Sequence, residues 1–445
     1  MNREVNLNTV ADRKIHTIRL DLVCVLLLPI LFFAVRGSFS FEYQYLNNGT
    51  VGAFGSLAVP TWGSGSATHS IEILAAYGIA ILAMLPIWRQ VLQACRENKL
   101  AFALPVLAII STVWSQEPAR TAAFAIMAVI NTLFAIYLTE RLRPDQQVSL
   151  FLLAGTVLAL SSLLVVALFP NAGVDHKNAA VGWQGVFPHK NVCAIVMISF
   201  LLPALCTSFT GSFAQTRRVL YFFLLLALIV GTTSRTGWIV SFLCILCVSL
   251  LKLLRRIHKV ERTLLLLILP LAAVVVIWLV LANSSEILAL LGKSRTLTGR
   301  TAIWAAVIQS IVKRPFLGFG YDAFWIGFKG EAVNLAVAAG FVGLGNAENG
   351  VLQLWLEVGL VGVAILLIML MRTCRNAVFC LRSNAPNYVL WYMSLLFLNL
   401  LALVDGDKFM VPHEIEWTMY ILADVGLAVE ASRLRSSYSV SGPFG

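Results

Sequence analysis

Apolar runs of span length alternate with short polar breaks along most of the chain. A membrane span needs about 20 apolar residues at 1.5 Å rise each. This rule predicts twelve helices, at 20–36, 70–88, 100–115, 121–139, 148–169, 192–209, 219–233, 237–254, 263–283, 351–371, 388–404 and 417–430. The third, seventh and twelfth are short or interrupted. The expected fold is all-α, a polytopic membrane protein forming one integral membrane domain. Residues 1–283 hold helices one to nine, 284–350 form a large loop, and 351–445 hold helices ten to twelve.

Within the large loop, Trp304, Val307, Ile308 and Ile311 recur at helical spacing. They predict an amphipathic helix lying at the interface. Thr298 or Gly299 is its candidate cap, and Pro315 ends it just after Lys313 and Arg314. The loop therefore reads as a folded cap. The Gly- and Ser-rich stretch at 37–69 reads as a flexible connector.

Composition agrees with this pattern. The chain is 59% hydrophobic and 12% charged, where soluble domains carry about 25% charge. Its net charge of +11 does not point to nucleic acid, because the basic residues form no single patch. They follow the loops instead. With the N-terminus inside, short inner segments hold 21 of the 33 Lys and Arg, leaving 12 for the longer outer segments. The positive-inside rule requires such a bias, and one missed span would invert every later loop. Both termini are therefore expected in the cytoplasm. The first apolar run reads as a retained span, since Arg36 to Ser40 makes a poor cleavage site. The eight cysteines avoid long outer loops, which argues against a disulfide framework. Cys244 and Cys247 read as small packing residues within a span.

Four polar clusters fall on the predicted outer face. They are Gly185 to Asn191, Ser234 to Trp238, Arg300 with Trp304 and Arg314 to Gly318, and Glu348 to Gly362. Each has a plain reading. Lys190 and Arg235 would snorkel to headgroups, Asn191 and Ser234 would cap helices, and Arg300 would solvate the loop. His189 would be a satisfied loop histidine, Trp238 and Trp304 belt or packing residues, and Glu348 a solvated acid. Taken together they suggest chemistry. Lys190, Arg235 and Arg300 each stand at a helix start on one face, where the dipole and an adjacent cation favour an anion such as a pyrophosphate. Asn349, Gln353 and Glu357 form a polar stripe, and Glu357 reads as a buried structural partner. Gly359 and Gly362 read as sites of close helix approach.

These clusters resemble the O-antigen ligase and polymerase superfamily, and most closely its exopolysaccharide-polymerising members. The resemblance runs over about residues 110–365. It is carried by Trp114-Ser115-Gln116-Glu117-Pro118, Trp183 to Asn191, Ser234 to Trp238, Leu297 to Trp304, Arg314 to Tyr321, and Asn349 with Gly359-x-x-Gly362. It implies a many-helix glycosyltransferase of the bacterial inner membrane, with a large periplasmic loop, no metal and no other cofactor. The implied donor is an undecaprenyl-pyrophosphate-linked oligosaccharide, and the implied acceptor is another glycan. The lipid bilayer is the surroundings, polysaccharide export or chain-length machinery a further partner, and nucleic acid none. The site residues implied are Glu348, Arg235 and Arg300 as catalytic groups, and His189, Lys190, Asn191, Arg314 and Asn349 as substrate-binding groups. The family motif has histidine where this chain has Glu348, so either Glu348 takes the role of base, or another group such as His189 does, or the role of that position is looser than the motif implies. Polymerisation is the leading activity. Transfer of glycan to lipid A core or another acceptor is the first alternative, and a polysaccharide transporter or flippase the second, although the chain shows no repeat.

Overall fold

The computed structural model describes residues 20–35, 67–176, 181–207, 213–257, 300–326, 330–339, 345–383, 385–405, 409–412 and 414–440. Thirteen helices organise the argument: α1 (Leu20–Ala34), α2 (Ala67–Met84), α3 (Trp88–Glu97), α4 (Ala103–Ile110), α5 (Pro118–Arg141), α6 (Pro144–Leu168), α7 (Lys190–Cys206), α8 (Ala214–Gly231), α9 (Arg235–Arg256), α10 (Arg300–Lys313), α11 (Glu331–Ala339), α12 (Gly350–Arg382) and α13 (Val389–Asp405). A fourteenth, α14 (Ile415–Val440), closes the chain. Six helical stretches are long and apolar enough to cross a membrane, and shorter apolar helices accompany them. The protein is a polytopic, helical membrane protein. Of the twelve expected spans, all but the ninth fall on helices, and 263–283 lies outside the described residues. So do residues 37–66 and the candidate caps Thr298 and Gly299.

The last helix explains why the twelfth span looked interrupted. Residues 417–427 of α14 are all buried, enclosed by α5, α12 and α13. A helix surrounded by protein need not be uniformly apolar, so Asp424 and Glu430 are tolerated there when partnered. Thr373 Oγ1 donates to Asp424 Oδ1 at 2.6 Å, and Arg372 approaches the other oxygen at 3.8 Å. Arg372 also donates to Asn98 Oδ1 at 2.9 Å. Tyr388 donates to Glu430 at 2.7 Å.

These contacts define one end of the bundle, rich in the cations counted above. There Lys252, near the end of α9, donates to the Leu205 carbonyl near the end of α7, and Arg255 reaches Asn387 at 3.0 Å. Cys206 lies 3.5 Å from Ser394, so the end of α7 meets the start of α13. The two helices run antiparallel. The starts of α7 and α9 thus lie at the opposite end, with the finish of α13. The finish of α13 also meets α12, where Asn349 Nδ2 donates to the Val404 carbonyl at 3.1 Å. The polar clusters at the starts of α7, α9 and α12 therefore share the end opposite the basic one.

α10 and α11 form a cap with a small core of its own. Ile303, Ala306, Val307 and Ile311 pack with Phe319, Phe324, Trp325, Leu335 and Leu356. The helix has the expected extent, but its buried face is turned by about one residue. Ile308 points outward, and Ile303 and Ala306 take its place. The cause is the partner: α10 packs on α11 and α12, and its buried face is the one turned to them.

Candidate functional site

The site is assembled from two halves. The first is built on the starts of α7 and α9. A two-residue antiparallel pairing, Val174–Asp175 with Gly182–Trp183, brings Asp175 to His189, whose Nε2 lies 3.2 Å from Oδ2. His189 is also the N-cap of α7. Its Nδ1 accepts from the Asn191 backbone N–H at 3.2 Å, which leaves Nε2 to carry a proton toward Asp175. Histidine rather than Asn191 thus caps this helix. Lys190 is only 6% exposed at the first position of α7, so it does not behave as a headgroup anchor.

The turn from α8 to α9 is closely bonded. Thr233 adopts φ +51° and donates to the Val181 carbonyl at 2.9 Å. Ser234 caps α9, accepting from the Gly237 N–H at 3.1 Å, and the Trp238 indole donates to the Ile229 carbonyl at 3.0 Å. Gly231 gives room for Trp183. Hence the 182–191 and 232–238 segments form one surface. Arg235 stands exposed on it at the first position of α9.

The second half joins the cap to α12. Here α12 is not continuous: Gly359 has φ +71° and ψ −172°, a region open almost only to glycine. The break is filled by backbone from 315–320. Leu360 N–H donates to the Pro315 carbonyl at 2.8 Å, Phe319 N–H to Leu356 at 3.0 Å, and Gly320 N–H to Glu357 at 2.8 Å. A Cβ on Gly359 would strike the Phe316 carbonyl. Irregular backbone is tolerated at membrane depth only where protein satisfies it, and here the inserted loop does so. Gly359 therefore marks a helix break and loop insertion rather than close approach of two helices. Gly362 packs near Leu107 of α4.

The same loop is held from its other side. Trp114 Nε1 donates to the Leu317 carbonyl at 2.9 Å, Gln116 N–H to Phe319 at 3.1 Å, and Thr121 Oγ1 to Tyr321 at 2.8 Å. Arg120 forks onto Asp322, with Nε 3.0 Å and NH2 2.6 Å from Oδ2. Asp322 has φ +51°. The Tyr321 hydroxyl donates to the Met410 carbonyl. Burial, followed by the Asp322 and Glu357 carboxylates, pushes its phenol well above the ordinary value, so it stays a donor. Arg120 and Asp322 escaped the sequence reading. The available signal was Arg120 next to the expected start of a span at 121, two residues beyond Pro118.

Arg314 is exposed and lies over the Phe319 ring at 5.1 Å. Asn349 caps α12, accepting from Val351 and Leu352 N–H at 3.1 and 3.0 Å. Glu348, half-buried, precedes it with φ +51°, and its N–H donates to Asn346 Oδ1 at 2.7 Å. Glu357 is buried and accepts from Gln353 at 2.5 Å, which fits a structural partner. Arg300 begins α10, and its side chain lies outside the described residues. The structure thus joins 182–191 with 232–238, and 314–322 with 348–359. Both halves rest against α13, through α7 and α9 on one side and Asn349 on the other.

A family profile described as O-Antigen ligase matches residues 220–367. That interval takes in α9, the cap and the broken first part of α12. The chain is also 24% identical over 315 residues to the "Exopolysaccharide production protein ExoQ" of Rhizobium meliloti (strain 1021), covering 67% of this chain and 70% of that protein. The resemblance is to the O-antigen ligase and polymerase family. It lies near the exopolysaccharide proteins, and it supports a membrane activity of the ligase or polymerase type.

Proposed function

We propose that this protein polymerises oligosaccharide repeat units carried on undecaprenyl pyrophosphate, at the periplasmic face of a bacterial inner membrane with both termini in the cytoplasm. The observation that carries this reading is the gathering, at one end of the bundle, of cationic helix starts (Lys190, Arg235) and a carboxylate held beside another helix start (Glu348). In the proposed step the acceptor hydroxyl oxygen attacks the anomeric carbon of the donor sugar. The carbon–oxygen bond to pyrophosphate breaks, and the pyrophosphate leaves with the electron pair. Lys190, Arg235 and Arg300 offset its growing charge, and Arg314 adds a further cation on the substrate-binding side. Glu348 takes the hydroxyl proton. His189 and Asn349 shape their helix starts as caps, and Asn191 sits in the first turn of α7. No metal or cofactor is assigned a step.

The test is transfer in proteoliposomes with a purified lipid-linked repeat unit. Polymer lengthening on the lipid carrier is expected, and Glu348→Gln should slow it by about 10²–10⁴-fold with protein level unchanged. Near-normal polymer length in that variant would remove Glu348 from the role of base. Glu348→His should keep activity if this position is homologous to the histidine of the family motif that the stretch resembles. A ligase reading is favoured by the description of the matching family. It predicts glycan on lipid A core or another acceptor instead of a lengthened lipid-linked chain. A flippase reading would draw on the broken α12, because transporters bind substrate at discontinuous helices. Against it, backbone from 315–320 already occupies this break. Translocation without any glycosidic transfer would establish it.

A further inference from the structure

We propose that Gln353 and Glu357 are positioning residues that set the geometry of Glu348, an inference that rests on the acceptor-activating role given to that carboxylate. The starting observation is the depth of the pair. Gln353 is 1% and Glu357 3% exposed, in the first turns of a helix whose polar groups are costly to bury. Glu357 Oε1 accepts from Gln353 Nε2 at 2.5 Å, and the amide oxygen points back toward the cap. There it accepts from two donors, the Ala347 backbone N–H at 2.9 Å and the Trp325 indole N–H at 2.9 Å. With both donors and the acceptor satisfied, only one amide orientation is permitted.

This orientation fixes the residue just before Glu348. Glu348 itself holds a left-handed backbone, φ +51°, which a residue with a Cβ rarely adopts. Such a conformation persists only where its surroundings over-determine it. Three side chains do so: Asn346 Oδ1 takes the Glu348 N–H, Asn349 caps the helix that follows, and Gln353 holds Ala347. Glu357 is tied to the same unit by its main chain, whose carbonyl accepts from Gly320 of the inserted loop at 2.8 Å. The polar stripe therefore links the break in α12 to the turn carrying the carboxylate. A base must be held within hydrogen-bond reach of its proton, and a misplacement of about 1 Å can cost about 10²-fold in rate.

Gln353 also joins the cap to α12 through Trp325, so lost activity alone would not separate positioning from simple gluing. The test is a double-mutant cycle on the full-length protein in proteoliposomes, with a purified lipid-linked repeat unit as substrate. Gln353→Met is expected to lower kcat by about 10²-fold while KM stays within about threefold. In a Glu348→Gln background the same change is expected to lower kcat no further, because the base it aims is already gone. Glu357→Leu should behave like Gln353→Met. Glu357→Gln keeps an acceptor oxygen and should lose at least about tenfold less than Glu357→Leu. Multiplying losses in the double variant would overturn the proposal, as would a rise in KM at constant kcat. If Gln353→Met does not insert, Gln353→Asn, which shortens the reach by one methylene, enters the same cycle with the same expected and contrary results. A Glu348→Gln single variant with normal kcat would instead sink the base role itself, and the inference with it.

Discussion

The two ends of the bundle hold their polar residues in opposite ways. At the basic end, charges and amides pair across helices, as in Arg372 with Asp424 and Asn98, Tyr388 with Glu430 and Arg435 with Asn376. Among the described residues there, the backbone has no positive φ except at Phe213, where α8 starts. At the cap end, the described residues with positive φ gather: Thr233, Asp322, Glu348, Gly185, Gly318, Gly320, Gly330 and Gly359. Among the described residues, only Phe213, at the start of α8, shows this conformation elsewhere. Strained backbone persists at functional sites when the surroundings over-determine it, whereas interhelical ion pairs lock a scaffold. The difference is the one that the proposed function requires, a locked scaffold at one end and pre-shaped turns at the other.

The sharpest way to break this contrast is to move stability and activity separately. Arg372→Met leaves Asp424, 1% exposed, buried without its cation. Removing one partner of a buried pair costs about 3–5 kcal/mol, and Thr373 keeps the cost toward the lower figure. Thermal unfolding in detergent should shift strongly, while transfer per folded molecule stays near normal. A fall in specific activity larger than the fall in folded protein would mean that the basic end also serves the site.

Gly359→Ala is the matching test at the cap end. The backbone region it forces on alanine costs about 1–3 kcal/mol, and the new methyl meets the Phe316 carbonyl. The inserted 315–320 loop should be displaced, so transfer should drop by more than the change in stability explains. If proteolysis of the cap and transfer rate both match the unaltered protein, the loop insertion does not shape the site. Arg120→Lys comes next. It keeps the charge but loses the fork on Asp322, worth about 1.5 kcal/mol. The cap should loosen by hydrogen exchange while the spans keep their protection, and equal loosening of both would remove Arg120 from a local role.

How much of this was legible in the sequence follows the same division. Lipid demands continuous apolar length, so the spans could be read, and so could the end of α10 at Pro315. The polar clusters could be found because polar residues near spans are costly. Their connections could not. Gly359 looks alike in sequence whether it admits a second helix or breaks its own. The outward turn of Ile308 depended on knowing that α10 packs on Phe319 and Trp325. Arg120 and Asp322 are separated by the whole sequence from α5 to the cap, and no local pattern announces such a pair. His189 combined a helix cap and a contact to Asp175 in one side chain, where the sequence offered histidine as a base, a substrate-binding group or a satisfied loop residue.

The smallest expected effect concerns Tyr321, where cap and spans meet. Tyr321→Phe removes the donor to the Met410 carbonyl, a loss of about 1 kcal/mol. The wild-type phenol carries a further signature. Its folded value is raised, first by burial and then by neighbouring carboxylates, so the fold favours the neutral form. That contribution is complete below the unfolded value of about 10 and is lost as the pH climbs toward the higher folded value. Above about pH 10 the stability gap between wild type and Tyr321→Phe should therefore close, by about 1.4 kcal/mol per pH unit. Unfolding midpoints of the two proteins measured from pH 8 to 11 should converge. Parallel curves would mean that the phenol is reached by solvent, and that cap and spans part more readily at this point than the buried contact implies.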